Sequence, residues 1–270
     1  SYICIKLLFG IDMKKHLLDL VVTENRFIGE NHILMKLTSD NPLPRVLPGQ
    51  FVEVRVDKTP TVFLRRPISI NFVDYERNEL WLLVQLVGDG TKSLSQLKKG
   101  DVVNVIMPLG NGFSSPTNAR DKVLLVGGGV GIAPLLMLGS ELKRDGFSVD
   151  FLLGARTESA LLLLDEFRKY GTLFLTTEDG SCGEQGFVTN HSILRKQSYT
   201  KIYTCGPTPM MKSVAAFAHK SNIDCEVSLE NRMACGLGAC LCCVTDTNEG
   251  HKCVCSDGPV FNIKDLKWQI

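Results

Sequence analysis

Ten cysteines occur in the 270 residues, and six of them fall between Cys235 and Cys255. Cys235, Cys240, Cys243 and Cys255 read C-x4-C-x2-C-x11-C. The first three match the spacing of plant-type 2Fe-2S sites, which take a fourth cysteine further along the chain. Gly236, Gly238 and Ala239 lie in the first gap. A backbone wrapped around inorganic sulfide needs positive φ there, and it needs N–H groups turned toward sulfur with no side chain in the way. A structural zinc held by the pairs Cys240/Cys243 and Cys253/Cys255 is the competing reading, although zinc has no use for a glycine loop. Spacing alone lets Cys253 stand in for Cys255 as fourth ligand, and it leaves Cys242 surplus.

Two further segments have the chemistry of nucleotide binding. Gly127, Gly128, Gly129 and Gly131 follow an apolar strand and open a helix with Pro134 in its first turn. In that setting backbone amides and a helix N-terminus can approach a pyrophosphate. The spacing is not G-x-G-x-x-G, so a tight strand-to-helix turn stays open as an explanation. The next strand runs into Gly154-Ala155-Arg156 with no acidic end, and Arg156 could meet a 2′-phosphate, so NADH and NADPH are not separated. Cys205, Gly206 and Pro207 close another strand at the same carboxyl edge, where doubly wound sheets bind ligands; a cysteine there is otherwise a small buried hydrophobe. Nearer the N-terminus, Arg66-Pro67-Ile68-Ser69 puts a cation and a hydroxyl into an apolar strand. Gly90 and Thr91 begin a short helix (expected over 91 to 98) whose amides and hydroxyl suit a phosphate, or form a plain hairpin turn.

The elements that must position these groups change character midway. From Lys14 to about Leu109 the runs HLLDLVVT, HILMKLTS, GQFVEVRV, RRPISINFV, ELWLLVQLVG and DVVNVIMP predict an antiparallel β-barrel. Past the polar bridge Pro116 to Asp121, strands (VLLVG, VDFLLGA, TLFLTTE, KIYTCG, CEVSLE) alternate with helices (133 to 146, 159 to 171 and 209 to 222). This predicts an α/β doubly wound parallel-sheet domain. A small cysteine-rich C-terminal 2Fe-2S unit follows. The expected divisions are an extension at 1–12, the barrel at 13–117, the nucleotide domain at 118–227 and the cluster unit at 228–270. Thirty Lys and Arg against 29 Asp and Glu leave a net charge of +1, which offers no field for nucleic acid or anionic lipid. The uncharged stretch Val123 to Ser140 has five glycines and Pro134, so it reads as strand, turn and helix and not as a membrane span. With no basic opening region, no cleavage site and a second start at Met13, the expected location is a reducing cytoplasm.

In this order the segments resemble the ferredoxin–NADP reductase superfamily, most closely the electron-transfer subunits of heteromeric, NAD-dependent dihydroorotate dehydrogenases. The likeness runs from about Met13 to the end. It rests on RRPISI (65 to 70), VGDGTKSL, GGGVGIAPLL (127 to 136), TEDGSCGEQGFVT (177 to 189), YTCGPTPMM (203 to 211) and ACGLGACLCCV through CSDGPVF. The resemblance implies FAD on the barrel, contacted by Arg66, Pro67, Ile68 and Ser69, by Leu83, Val84 and Gln85, and by Gly90 and Thr91. Gln85 stands where relatives carry arginine. The resemblance implies NAD(H) as co-substrate at Gly127, Gly128, Gly129, Gly131, Cys205, Gly206 and Pro207. It implies a 2Fe-2S cluster on Cys235, Cys240, Cys243 and Cys255, and no general acid or base. It also implies an FMN-containing catalytic partner in a heterotetramer serving pyrimidine biosynthesis. The alternatives are the small subunit of an NADH-dependent ferredoxin:NADP oxidoreductase or a sulfide dehydrogenase, and a non-catalytic zinc-stapled nucleotide-binding module.

Overall fold

The computed structural model describes residues 14–57, 59–118 and 121–268; the expected extension at 1–12 lies outside them. Six strands form a closed antiparallel barrel: β1 (His16–Gly29), β2 (His32–Thr38), β3 (Phe51–Val54), β4 (Arg66–Asp74), β5 (Glu79–Gln85) and β6 (Val102–Leu109). Their order around the barrel is β1-β2-β5-β4-β3-β6. The long first strand pairs with β6 through its first half and with β2 through its second. Register shifts at Val22/Glu24 and Phe27/Gly29 bend it between the two partners, which is how a bulged strand helps a sheet close on itself. Alternation sends Leu20, Val22, Ile33, Met35, Val52, Val54, Leu82 and Val84 inward, and they are at most 1% exposed. The short helix α1 (Asp89–Leu94) begins two residues before the expected 91.

The second sheet holds β7 (Lys122–Gly128), β8 (Ser148–Ala155), β9 (Thr172–Thr177), β10 (Glu184–Gln185), β11 (Lys201–Cys205), β12 (Asp224–Ser228) and β15 (Val260–Asn262). Its order is β10-β9-β8-β7-β11-β12-β15. All its pairings are parallel except the last, between β12 and β15. Successive residues of β7 feed opposite faces. Val123 and Leu125 pack with Leu135 and Leu142 of α2 (Ala133–Arg144). Leu124 and Val126 pack with Val214 and Ala218 of α5 (Thr208–Lys220). This is the two-faced burial a parallel sheet requires.

Two elements differ from the sequence expectation. The helix expected over 159 to 171 reduces to α3 (Leu164–Arg168), because Leu163 sits at φ +56° and breaks the run. Leu162 is buried instead, close enough that a Cβ on Gly29 of the barrel would lie 3.2 Å from it. At the C-terminus, the hairpin β13 (Val244–Thr247) and β14 (Gly250–Cys253) stands apart, but β15 joins the nucleotide sheet as its edge. Val227 pairs with Phe261 there, so apolar residues of the DGPVF run cover what would be an open strand edge. A short helix, α4 (Ile193–Lys196), precedes β11. Among the described residues no helix is long and apolar enough to cross a membrane. The stretch from Val123 divides into β7, a tight 3-10 turn and α2.

Candidate cofactor and cluster site

The loop from β12 to β13 carries Cys235, Cys240 and Cys243, and the turn after β14 carries Cys255. The hairpin joins the last two: Val254 N–H donates to the Cys243 carbonyl at 3.0 Å, and Cys255 N–H reaches Cys243 Sγ at 3.4 Å. Gly238 N–H donates to Cys255 Sγ at 3.1 Å and Leu237 N–H to Cys235 Sγ at 3.3 Å. Gly236 takes φ +66° with its Cα against the barrel, and a Cβ there would lie 2.6 Å from Glu53 Cγ. The small residues of the x4 gap therefore serve both the turn and a close approach.

The Cys240 thiol lies in hydrogen-bond reach of Cys235, and the Cys243 thiol in reach of Cys255 and of Cys253. Among the described residues no three His, Cys, Asp or Glu side chains converge on a point where a single ion could sit. Two thiolates per iron is the donor set of a 2Fe-2S centre, and backbone amides aimed at sulfur are its usual surroundings, so these residues fit that group. The Leu237 amide is the main cause that draws the Cys235 thiol down to about 6, whereas burial pushes Cys255 up to about 12. A coordinating thiol gives up its proton to the metal in either case.

The glycine loop and the Cys205 turn meet because β7 and β11 are neighbours, with Cys205 opposite Gly127. A Cβ on Gly131 would lie 2.4 Å from Gly206 Cα, so only glycine allows this approach. Beside them opens a cleft of about 820 Å³ that runs from Gly29–His32 and Gln85 of the barrel to Arg156, Glu178, Phe187 and Glu230. Gly128, Gly129, Gly131, Cys205, Gly206 and Pro207 all line it. Burial pushes the Cys205 thiol up to about 12, with the Ser228 hydroxyl in hydrogen-bond reach and Glu230 nearby, so the cleft is lined by a neutral thiol.

The other expected residues lie on the barrel side. The Arg66 guanidinium group crosses Gly90, whose added Cβ would come within 2.5 Å of Arg66 Nε. Thr91 Oγ1 donates to the Gly88 carbonyl at 3.1 Å and accepts from Val87 N–H at 3.0 Å, so this hydroxyl closes its own turn. Val84 turns into the barrel core, which leaves only its backbone for a ligand, and the half-buried Ile68 packs against that core. Leu83 packs toward α2. Pro67 and Ser69 pair with Glu53 and Phe51 across β3.

Glu53 was not visible as a site residue. It is 1% exposed, and neither carboxylate oxygen has a partner among the described residues. Burial raises it to about 7, with the nearby Cys235 adding to the effect and Arg65 and Arg66 opposing it. It stands where β3, the RRPIS strand and the cysteine loop meet. Asn71 was likewise unforeseen: on β4 it donates to the Ala133 carbonyl at 2.9 Å and ties the barrel to the start of α2.

A six-stranded barrel, a nucleotide sheet of this order and a four-thiol loop between them define a ferredoxin-reductase-like electron-transfer protein. Residues 125–216 match the oxidoreductase NAD-binding domain, and residues 230–267 match the iron-sulfur cluster binding domain of dihydroorotate dehydrogenase B. A relative from Caldanaerobacter subterraneus subsp. tengcongensis, named dihydroorotate dehydrogenase B (NAD(+)), electron transfer subunit, is 42% identical over 218 residues; the match covers 79% of this chain and 84% of the relative. One of the same name from Fusobacterium nucleatum is 36% identical over 258 residues, 92% of this chain and 98% of the relative. The chain belongs to this family of electron transfer subunits. The solved NADH-dependent reduced ferredoxin-NADP oxidoreductase superposes with a TM-score of 0.83 at 32% identity, covering 92% of this chain and 90% of its own. The FAD/NAD binding domain of a Vibrio cholerae nitric oxide dioxygenase, 18% identical with a TM-score of 0.67, shares the fold.

Proposed function

We propose that this chain carries electrons from an FMN-bearing dihydroorotate dehydrogenase subunit to NAD⁺ in cytoplasmic pyrimidine synthesis, within a heterotetramer of two subunits of each kind. The barrel (13–117) takes FAD, the sheet domain (118–227) takes NAD(H), and the C-terminal unit (228–270) takes the 2Fe-2S centre on Cys235, Cys240, Cys243 and Cys255. The observation carrying this reading is the pairing of those thiols on a loop that packs at Gly236 against Glu53 of the barrel. Bound together, FAD and the centre supply the conversion between two-electron and one-electron transfer, since a flavin takes two and a 2Fe-2S centre carries one.

The chain's residues supply position and electrostatics. Leu237 and Gly238 amides orient two of the sulfurs and favour their negative charge. Gly127, Gly128, Gly129 and Gly131 bring backbone to the dinucleotide at the start of α2, and Cys205, Gly206 and Pro207 wall the same cleft. Arg66, Pro67, Ile68, Ser69, Gln85, Gly90 and Thr91, with the backbone of Leu83 and Val84, form the flavin side. The test is an anaerobic absorption spectrum with iron and sulfide analysis, repeated after NADH. Flavin bands and a cluster shoulder that bleach with NADH, at about two irons per flavin, are expected. A colourless protein that retains zinc would overturn the reading. The likeness to the NADH-dependent reduced ferredoxin-NADP oxidoreductase favours one other assignment, which co-purification without an FMN protein would reveal.

A further inference from the structure

The C-terminal unit holds more thiols than four ligand positions use, and one of the surplus is placed differently from the other. Cys242 is exposed, whereas Cys253 is buried at 8% exposure in the same packed group as Cys243 and Cys255. Cys253 ends β14 opposite Val244, the residue after Cys243, and its thiol is in hydrogen-bond reach of the Cys243 thiol, as is that of Cys255. Two thiols therefore share the corner beside Cys243. The turn bearing Cys255 is itself built on Cys253: Ser256 and Asp257 N–H both donate to the Cys253 carbonyl, at 3.1 and 2.8 Å. The Asp257 carboxylate accepts the Cys253 N–H at 2.7 Å. Cys253 is thus held at the centre whether or not Cys255 is bound.

Resting on the cluster reading above, we propose that Cys253 is a reserve ligand, which takes the place of Cys255 on the iron shared with Cys243 when Cys255 is detached. In the exchange one iron–sulfur bond to Cys255 breaks and one to Cys253 forms. The Cys253 proton passes to the departing Cys255 thiolate, which burial keeps protonated once it is off the metal, and no electron is exchanged. A five-thiol centre of this kind keeps its metal after one ligand is lost, where four thiols would not.

The test is iron and sulfide content, visible absorption and the paramagnetic resonance spectrum of the dithionite-reduced whole protein. It compares wild type, Cys253→Ser, Cys255→Ala and the double variant. Alanine at 255 removes any oxygen ligand from that position. Cys253→Ser should match wild type. Cys255→Ala should keep about two irons per chain with a shifted resonance spectrum, and the double variant should lose most of its iron. Flavin content and circular dichroism establish that each variant is folded, and Cys255→Val, which also offers no ligand atom, serves in place of the alanine if that variant is not. Iron lost from Cys255→Ala as fully as from the double variant, or retained equally by both, overturns the proposal. Wild type without iron would sink the cluster reading itself, which separates the two failures.

Discussion

Replacing Glu53 by Gln should make the protein more stable above neutral pH, and the size of the gain follows from where the carboxyl sits. Its folded value of about 7 lies above the ordinary 4.5 because it is buried with no partner for either oxygen. An unfolded chain therefore ionises this group first. Its contribution to stability is full below 4.5, falls as pH rises toward about 7, and is gone above that. At about 1.4 kcal/mol per pH unit the whole span amounts to about 3 kcal/mol, of which about 2 kcal/mol falls between pH 5.5 and pH 8. Gln keeps the shape and has no proton to lose. Urea unfolding of wild type and Glu53→Gln at those two pH values should show the variant's advantage growing by about 2 kcal/mol. Parallel pH dependences for the two proteins would refute the reasoning, because the Glu53 carboxyl would then ionise alike in the folded and unfolded chain.

Changing Cys240 to Ser should leave NADH-dependent flavin bleaching intact and abolish onward transfer to the partner, read by anaerobic stopped-flow absorbance; full transfer would contradict the assigned ligand set. Lys201 is buried between Asp224 at 2.7 Å and Glu226 at 2.9 Å. Lys201→Met should cost about 3–5 kcal/mol in urea unfolding, because it strands two carboxylates that the lysine neutralises. Gly131→Ala should weaken NADH binding at least tenfold by fluorescence titration, since its Cβ would lie 2.4 Å from Gly206 Cα and push the two walls of the cleft apart; unchanged affinity would remove these glycines from the dinucleotide site.

The barrel was legible because its β-rich runs are separated by turn residues and show little helical periodicity. β7 was legible because a sheet covered on both faces needs an unbroken apolar strand. Cys235, Cys240 and Cys243 declared themselves by spacing, which is a local property. Glu53 did not, since an acid between two valines in FVEV looks like the solvent side of an edge strand. Only the fold brings Gly236, far along the chain, against it. The break at Leu163 was hidden for a similar reason: four leucines followed by Asp-Glu favour helix locally, and a contact with Gly29 of another domain overrides them. Nor does any local signal say that Val260–Asn262 belongs to the nucleotide sheet, because a three-residue strand is defined by its neighbour.

That short edge strand governs how the protein can meet its partner. With Glu226, Val227 and Ser228 laddered to Asn262, Phe261 and Val260, the whole cysteine-bearing segment between β12 and β15, hairpin included, is bracketed by adjacent strands of one sheet. It has no tether on which to swing. A redox partner must bring its own donor up to a stationary port, and the distance an electron covers is set once, by docking, instead of being sampled by a roaming arm.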